Sequence, residues 1–375
     1  MYAVWKQRFY ELQSVLAEKT IEGQVIHMRD WIKLIDAQEK KDNEMIAQNI
    51  SDMQERNMFP RKFSFPLTLQ FELTSHCNVK CKHCYNNSGA YNNGIDRMTP
   101  EVWITFSKYL VEKGGIFECI LSGGEPLLLG KELYNIMDIL HMDGTQFLLI
   151  TNGYLLDKEA IRCLEEYRYH WIQVSIDGYT KEYHDAFRNK QGSWERAVSG
   201  AVGVAEAGLP LTIAHSVTKE NLKDIDNMCG LAYNMGAGSI IVGEVNFSGR
   251  MYDNLNLALN NEDKNYLYEK VEENYKRYEG KMVVRRSGTV KNQLERYRTY
   301  PTNGAIIRPN GDVRLDCMTP FVMGNVLDND FTDIWLEKSL DCWNDSRVRQ
   351  YIDSYNDASS DNVYLKNYVD KDIIL

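Results

Sequence analysis

The spacing of apolar positions changes character twice along the chain. Over residues 1–60 it is helical: Trp5, Phe9, Leu12 and Leu16 fall at i, i+4, i+7 and i+11, and a second patch, MRDWIKLIDA, surrounds Trp31. Pro60 and Pro66, in the run FPRKFSFP, punctuate the exit from this segment. From residue 67 to about 250, short runs rich in β-branched and aromatic residues alternate with amphipathic helical runs. The strands read are LTLQFEL (67–73), FECILSG (117–123), QFLLITN (146–152), WIQVSID (171–177), LTIAHSV (211–217) and SIIVGEV (239–245). Helical runs separate them, the first being TPEVWITFSKYLVEKG with Thr99 expected as N-cap and Pro100 in the first turn. Such alternation predicts an α/β fold of right-handed βαβ units, a partial (β/α)6 TIM-like barrel whose six units leave one side open.

Beyond residue 250 the pattern predicts a long polar helix (about 257–279), a shorter one near 288–299, and a hairpin in AIIRPNGDVRLDC with Asn310-Gly311 as a two-residue turn. The segment MGNVLDNDFTDIWLEKSL leads into further helix, and the last 20 residues read as an acidic tail. The expected division is therefore an N-terminal helical segment (1–66), a barrel (67–255), an α+β extension (256–355) and the tail (356–375).

Composition narrows the function classes. The 375 residues carry a formal charge of −10, with 43% hydrophobic and 26% charged residues, as in an ordinary soluble globular protein. An acidic surface argues against broad nucleic-acid binding, which relies on Lys and Arg neutralising phosphates. The start, MYAVWKQRFYELQSVLAEK, lacks the unbroken apolar core of a signal peptide, and no stretch reaches the ~18–20 apolar residues of a membrane span. A cytoplasmic location and no membrane partner are expected. The eight cysteines are not arranged as a secreted disulfide framework.

Three of those cysteines form the strongest chemical signal. Cys77, Cys81 and Cys84 stand in CNVKCKHC, just after the first strand, where α/β folds place their chemistry. Three thiolates can each bind one corner of a cubane 4Fe–4S cluster and leave the fourth iron open. A zinc site completed by His76 or His83 is the other reading of the loop. The Cys-x3-Cys-x2-Cys loop, LSGGEP (Leu121–Pro126) at the end of strand two, TNG (Thr151–Gly153) after strand three and VSIDG (Val174–Gly178) after strand four together resemble the radical S-adenosylmethionine (radical SAM) superfamily. That resemblance implies one 4Fe–4S cluster on Cys77, Cys81 and Cys84, with the amino and carboxylate groups of S-adenosylmethionine on the open iron. It further implies cofactor contacts from Gly123, Gly124, Glu125, Pro126 and Asn152, carboxylate or ribose contacts from Ser175, Asp177 and Arg188, and His83 beside the adenine. Reductive cleavage of S-adenosylmethionine to a 5′-deoxyadenosyl radical and hydrogen abstraction from substrate would follow.

The stretch NGAIIRPNGDVRLDCMTPFVMGNVLDNDFTDIWLEKS is similar to the SPASM/twitch extension of many such enzymes, on Pro309–Gly311, Cys317, Gly324-Asn325 and Ile334-Trp335. No cysteine precedes the hairpin, and only Cys317 and Cys342 remain, so the extension is expected to have lost its auxiliary clusters. A single auxiliary cluster with non-cysteine ligands is the alternative. Redox-neutral outcomes then become attractive, with Cys317 as the expected hydrogen-atom donor, ahead of Cys119 and Cys229, which sit in apolar runs suited to core residues. The subgroup resemblance implies a ribosomally made peptide as substrate (epimerisation, cross-link or other C–H chemistry), or alternatively a sugar, nucleoside or antibiotic intermediate. It implies an electron donor such as flavodoxin or ferredoxin. The first 60 residues would grip a leader peptide or form a helical cap over the open side.

Overall fold

The computed structural model describes residues 65–89, 96–299, 304–339, 341–355 and 372–375. The helical positions Trp5, Phe9, Leu12, Leu16 and Trp31, and tail residues 356–371, lie outside the described residues.

The six expected strands form as β1 (Thr68–Glu72), β2 (Glu118–Ser122), β3 (Gln146–Thr151), β4 (Tyr169–Ser175), β5 (Leu211–Val217) and β6 (Ser239–Glu244). Between them run helices α1 (Pro100–Glu112), α2 (Lys131–Met142), α3 (Lys158–Leu164), the pair α4 (Lys181–Arg188) and α5 (Ser193–Glu206), and α6 (Ile225–Asn234). All six strands pair in parallel with their sequence neighbours, so every strand's C-terminal end opens on the same mouth. One face of each strand, such as Leu69 and Phe71 on β1 or Cys119 and Leu121 on β2, is buried in the helix-covered core.

Helix α1 shows how the core positions the mouth. Trp103, Phe106 and Leu110, one helical face, are buried, and Trp103 is fully enclosed against Phe71 with ring centroids 4.7 Å apart. The Trp103 indole N–H donates to Leu73 O at 3.0 Å, so the helix holds β1 at the point where the cysteine loop starts. Pro100 opens α1 as expected, but the Thr99 hydroxyl makes no cap bond to the backbone and donates to Glu101 Oε2 at 2.7 Å.

Beyond β6, helix α7 (Asn261–Arg277) starts on a reciprocal capping box between Asn260 and Asp263. It returns the chain to β7 (Val283–Arg286), a seventh parallel strand that the hydrophobic pattern did not predict. Helix α8 (Val290–Thr299) then leads to β8 (Gly304–Ile307), which pairs in parallel with β1 on the side opposite β2. Next come β9 (Asp312–Arg314), β10 (Phe321–Asn325), helices α9 (Phe331–Lys338) and α10 (Ser346–Ser354), and β11 (Ile373–Ile374). The sheet order is β11-β10-β9-β8-β1-β2-β3-β4-β5-β6-β7, so the C-terminal hairpin extends the barrel sheet rather than standing apart.

The hairpin turn differs from the two-residue form. Arg308 N–H still bonds Asp312 O at 2.9 Å, leaving Pro309, Asn310 and Gly311 as a three-residue loop in which Gly311 takes φ +93°. Among the described residues no helix is long and apolar enough to cross a membrane.

Candidate active site

The cysteine loop leaves β1 and is fastened on two sides. On one side Lys80 N–H and Lys82 N–H donate to the carbonyls of Arg188 and Phe187 at 3.0 and 2.9 Å, which seats the loop against the end of α4. On the other side a segment after β6, Ser248–Asn254, grips its carbonyls. Arg250 Nε donates to Cys81 O at 2.8 Å and its Nη1 to Ser88 O at 2.8 Å, while the Arg250 amide bonds Cys84 O at 3.1 Å. Ser248 Oγ bonds Tyr85 O at 3.0 Å, and Asn254 Nδ2 bonds Lys82 O at 3.0 Å. Gly249 permits this approach: it takes φ +55°, and a Cβ there would lie 2.2 Å from Cys84 O. The sequence reading missed this clamp, although its position after a strand end was the available signal.

The GGEP turn after β2 lies flat on the start of the same loop. Gly124 N–H donates to Thr74 O at 2.6 Å and Glu125 N–H to His76 O at 2.9 Å. A Cβ on Gly124 would sit 1.9 Å from His76 O, so the close approach this glycine allows is to the cysteine loop itself. Gly123 likewise abuts Thr74, and Pro126 is buried at the start of a short 3₁₀ turn. The Glu125 side chain is fully buried and turned toward the neighbouring strand end. Its Oε1 accepts from Thr151 Oγ1 at 2.7 Å and Leu127 N–H at 3.2 Å, and its Oε2 accepts from Asn152 N–H at 2.8 Å. Burial pushes the Glu125 carboxyl up to about 7, against the pull of these donors. Asn152, so held, directs Nδ2 to Asn78 Oδ1 at 2.7 Å and to Cys77 Sγ at 3.8 Å.

After β4, Asp177 and Arg188 form a buried ion pair: Arg188 Nε and Nη2 donate to Asp177 Oδ2 at 2.9 and 2.6 Å, and Ser216 N–H bonds Asp177 Oδ1 at 2.9 Å. Burial alone would raise the Asp177 carboxyl, but the Arg188 guanidinium holds it well below the usual carboxylate range. His83 stacks face to face on Phe187 with centroids 4.5 Å apart and places Nε2 3.3 Å from Ser216 Oγ; burial pushes its imidazole down to about 4. Ser175 ends β4 half-buried. The ends of β2, β3 and β4 thus bring Gly123, Gly124, Glu125, Pro126, Asn152, Ser175 and Asp177 to the same mouth as the cysteine loop, with His83 inside that loop and Arg188 paired to Asp177.

The donor set and its surroundings fit a 4Fe–4S cluster with S-adenosylmethionine beside it. His83 Nδ1, Asn78 Nδ2, Ser75 Oγ and Ser88 Oγ are buried without a hydrogen-bond partner among the described residues, leaving polar capacity around the loop. Burial pushes the Cys77 thiol up to about 12 and the Cys81 thiol up to about 11, so a bound metal, which deprotonates its thiols outright, must supply the thiolate form. Neither histidine of the zinc reading is aimed solely at the thiols: His76 Nε2 lies 3.8 Å from Asp96 Oδ2, and the His83 ring rests on Phe187. Among the described residues no group of three His, Cys, Asp or Glu converges as a single-ion site requires.

Cys317 follows the hairpin, on the β8 side of β1. Its thiol is coupled electrostatically to Asp316, Arg314 and Glu72, and also to Tyr85, the residue after Cys84; burial raises it well above the usual thiol range. Cys342 is buried in the core, where its charged neighbours are Lys338, Asp345, Asp341 and Arg347. The two remaining C-terminal cysteines therefore answer to different surroundings. Cys119 and Cys229 are fully buried core residues.

Comparison with known proteins bears on the same segment. A family model described as the radical SAM superfamily matches residues 71–232. The antilisterial bacteriocin subtilosin biosynthesis protein AlbA of Bacillus subtilis is 28% identical over 193 residues, 51% of this chain and 42% of AlbA. The AdoMet-dependent heme synthase of Methanosarcina barkeri is 33% identical over 174 residues, 46% of this chain and 48% of the synthase. This chain thus spans about half the length of each of these curated relatives. Among solved structures, Streptococcus suis SuiB bound to precursor peptide SuiA shares the fold, with TM-score 0.61 and 16% identity over 90% of this chain and 77% of SuiB.

Proposed function

We propose that this chain, whose residues 71–232 form a radical SAM domain, is an enzyme that cleaves S-adenosylmethionine reductively and functionalises a C–H bond of a ribosomally made peptide. The observation that carries the reading is the convergence on one mouth of three loop thiols with the ends of β2, β3 and β4, joined through Glu125, Asn152 and Asn78. Cys77, Cys81 and Cys84 would hold a 4Fe–4S cluster and the strand-end residues would hold S-adenosylmethionine, which together would supply the one-electron chemistry needed to remove a hydrogen atom from an unactivated carbon.

The chain's own residues position and shield. Glu125 orients the Asn152 amide toward Cys77, the Asp177–Arg188 pair fixes the rim beside His83, and His83 offers an imidazole edge at a dry wall against Phe187. Burial raises the Cys317 thiol, which supports a retained S–H, and Cys317 follows the hairpin that pairs with β1; in this reading it serves as hydrogen-atom donor in a redox-neutral outcome. Residues 256–355 act as a twitch-like extension without auxiliary clusters, and the different settings of Cys317 and Cys342 support this.

The peptide substrate is supported by the bacteriocin biosynthesis role in AlbA's name and by the precursor peptide on SuiB. The heme synthase favours a second reading, a small-molecule substrate at the same site. Anaerobic protein should bind about four irons per chain and release 5′-deoxyadenosine from S-adenosylmethionine with dithionite. A Cys81→Ala variant that does the same defeats the reading. Co-expression with a neighbouring short reading frame, followed by peptide mass measurement, decides between the two substrates.

A further inference from the structure

We infer that Arg314 anchors a carboxylate of the substrate, an inference that rests on the function proposed above and narrows its substrate to an acid. The sheet register sets where Arg314 lies. Gln70 on β1, Ile306 on β8, Arg314 on β9 and Val322 on β10 stand opposite one another in turn, so the four share one face of the sheet. Their neighbours Ile307, Val313 and Phe321 belong to the opposite face, inside the helix-covered core with Phe71. Arg314 is therefore on the inner face, where Arg308 Nε lies 3.8 Å from Glu72 Oε2 at the end of β1.

The Arg314 side chain is completely buried and only partly matched. Its Nε donates to Thr319 O at 2.5 Å, which closes the turn Asp316–Thr319 that carries Cys317. Nη1 and Nη2 are buried without a hydrogen-bond partner among the described residues. The acids of this region are committed elsewhere: Glu72 faces Arg308, Asp372 pairs with Arg308 Nη1, and Asp316 accepts from Gln293 Nε2 at 2.6 Å and from Met318 N–H at 2.8 Å. A guanidinium does not give up its charge on burial, so an unmatched fork in a dry site is costly. A ligand removes that cost by supplying the missing acceptors. A carboxylate is planar and offers two oxygens, which match the two Nη groups with parallel bonds. Asp316 and Asp372, which both feel the Arg314 charge, disfavour a more highly charged phosphate there. The same guanidinium would then hold both the carboxylate and the turn of Cys317, the hydrogen-atom donor of the proposed reaction.

Binding is read without turnover. Anaerobic holoenzyme is titrated calorimetrically with N-acetylglutamate α-amide, which offers a side-chain carboxylate, with N-acetylalanine, which offers a terminal one, and with the neutral N-acetylglutamine α-amide. At least one acid should bind and raise the thermal midpoint as its concentration rises, and the neutral amide should do neither. Tighter binding of the first acid identifies an acidic side chain as the group held, and tighter binding of the second a free carboxyl terminus. Arg314→Met should bind the acids at least about tenfold more weakly. Its own midpoint without probe should equal or exceed that of wild type, because the apolar chain removes unmatched donors at the loss of one bond to Thr319 O. Arg314→Lys, a point charge without the fork, should bind with intermediate affinity. Failure of both acids to bind wild type would overturn the carboxylate site, as would equal binding to Arg314→Met, equal binding of the neutral amide, or tighter binding of inorganic phosphate. So would an Arg314→Met midpoint well below wild type together with no acid bound by Arg314→Lys, since the guanidinium would then be a structural strut. Holoenzyme that binds the acids as expected but releases no 5′-deoxyadenosine from S-adenosylmethionine with dithionite would leave the carboxylate site standing and sink the function reading alone.

Discussion

Removing the Arg250 side chain tests whether the cysteine loop is held by the segment after β6. The guanidinium makes two short bonds, to Cys81 O at 2.8 Å and Ser88 O at 2.8 Å, and a longer one to Asn87 Oδ1 at 3.3 Å. Hydrogen bonds from a charged donor contribute about 1.5–3 kcal/mol each. Arg250 is half-buried, so water replaces part of the loss, and the low end, about 3 kcal/mol for the two short bonds, is the appropriate figure. At 1.4 kcal/mol per tenfold, loop opening becomes roughly a hundredfold more frequent. Hydrogen exchange on metal-free protein reads this directly, because the Lys80, Lys82, Cys84, Asn87 and Gly89 amides are all hydrogen-bonded within or beside the loop. In Arg250→Ala these amides should exchange about a hundredfold faster, while those of β3 and β4 keep their protection. Arg250→Lys, able to place one donor but not a fork, should fall between. In metal-loaded protein the alanine variant should lose iron faster to a chelator. Wild-type exchange across residues 80–89 in Arg250→Ala would refute the clamp.

Four further outcomes are expected. Glu125→Gln should lower stability by about 1–3 kcal/mol, seen as a lower denaturation midpoint, because either amide orientation turns an N–H toward the donor of Asn152 or Leu127. Gly124→Ala should leave the barrel folded by circular dichroism but unable to retain iron, since its Cβ would meet His76 O at 1.9 Å; normal iron content would contradict the packing. Trp103→Ala should cost about 3–5 kcal/mol in denaturant unfolding, as it empties a fully buried site and frees Leu73 O. Cys317→Ala should keep wild-type iron and 5′-deoxyadenosine release but lose at least about tenfold in product by mass spectrometry; unchanged product would end the donor role.

The six central strands were legible because each pairs an apolar run with turn residues, and their observed ends fall within two residues of the expected ones. Strand β7 was not, because Val283 and Arg286 are exposed at its ends and the run VVRR carries no period-two signal. The hairpin was visible in Asn310-Gly311, but its loop length was not, since the register depends on the Arg308–Asp312 pairing. At the site, the three cysteines and the strand-end motifs were legible as residue types at fixed spacing. The clamp of Ser248–Asn254 was not: it acts on backbone carbonyls, which leave no mark on the residues they belong to.

The same distinction changes what the motif residues do. Glu125 reads from sequence as a cofactor contact, yet its buried oxygens take three donors from the β2 and β3 strand ends. Few side chains can do this. A hydroxyl has one oxygen, and an amide replaces one acceptor with a donor, whereas a carboxylate offers about four lone-pair sites on two oxygens. Burial works against its charge, so the carboxylate is tolerated only because those donors are already aimed at it. Asp177 follows the same logic with Arg188 and Ser216. Arg188 matches the Asp177 charge and neutral donors occupy the Glu125 oxygens, so both carboxyl groups are held by the protein itself, with Asn152 turned toward Cys77 as the point where that network reaches the cysteine loop.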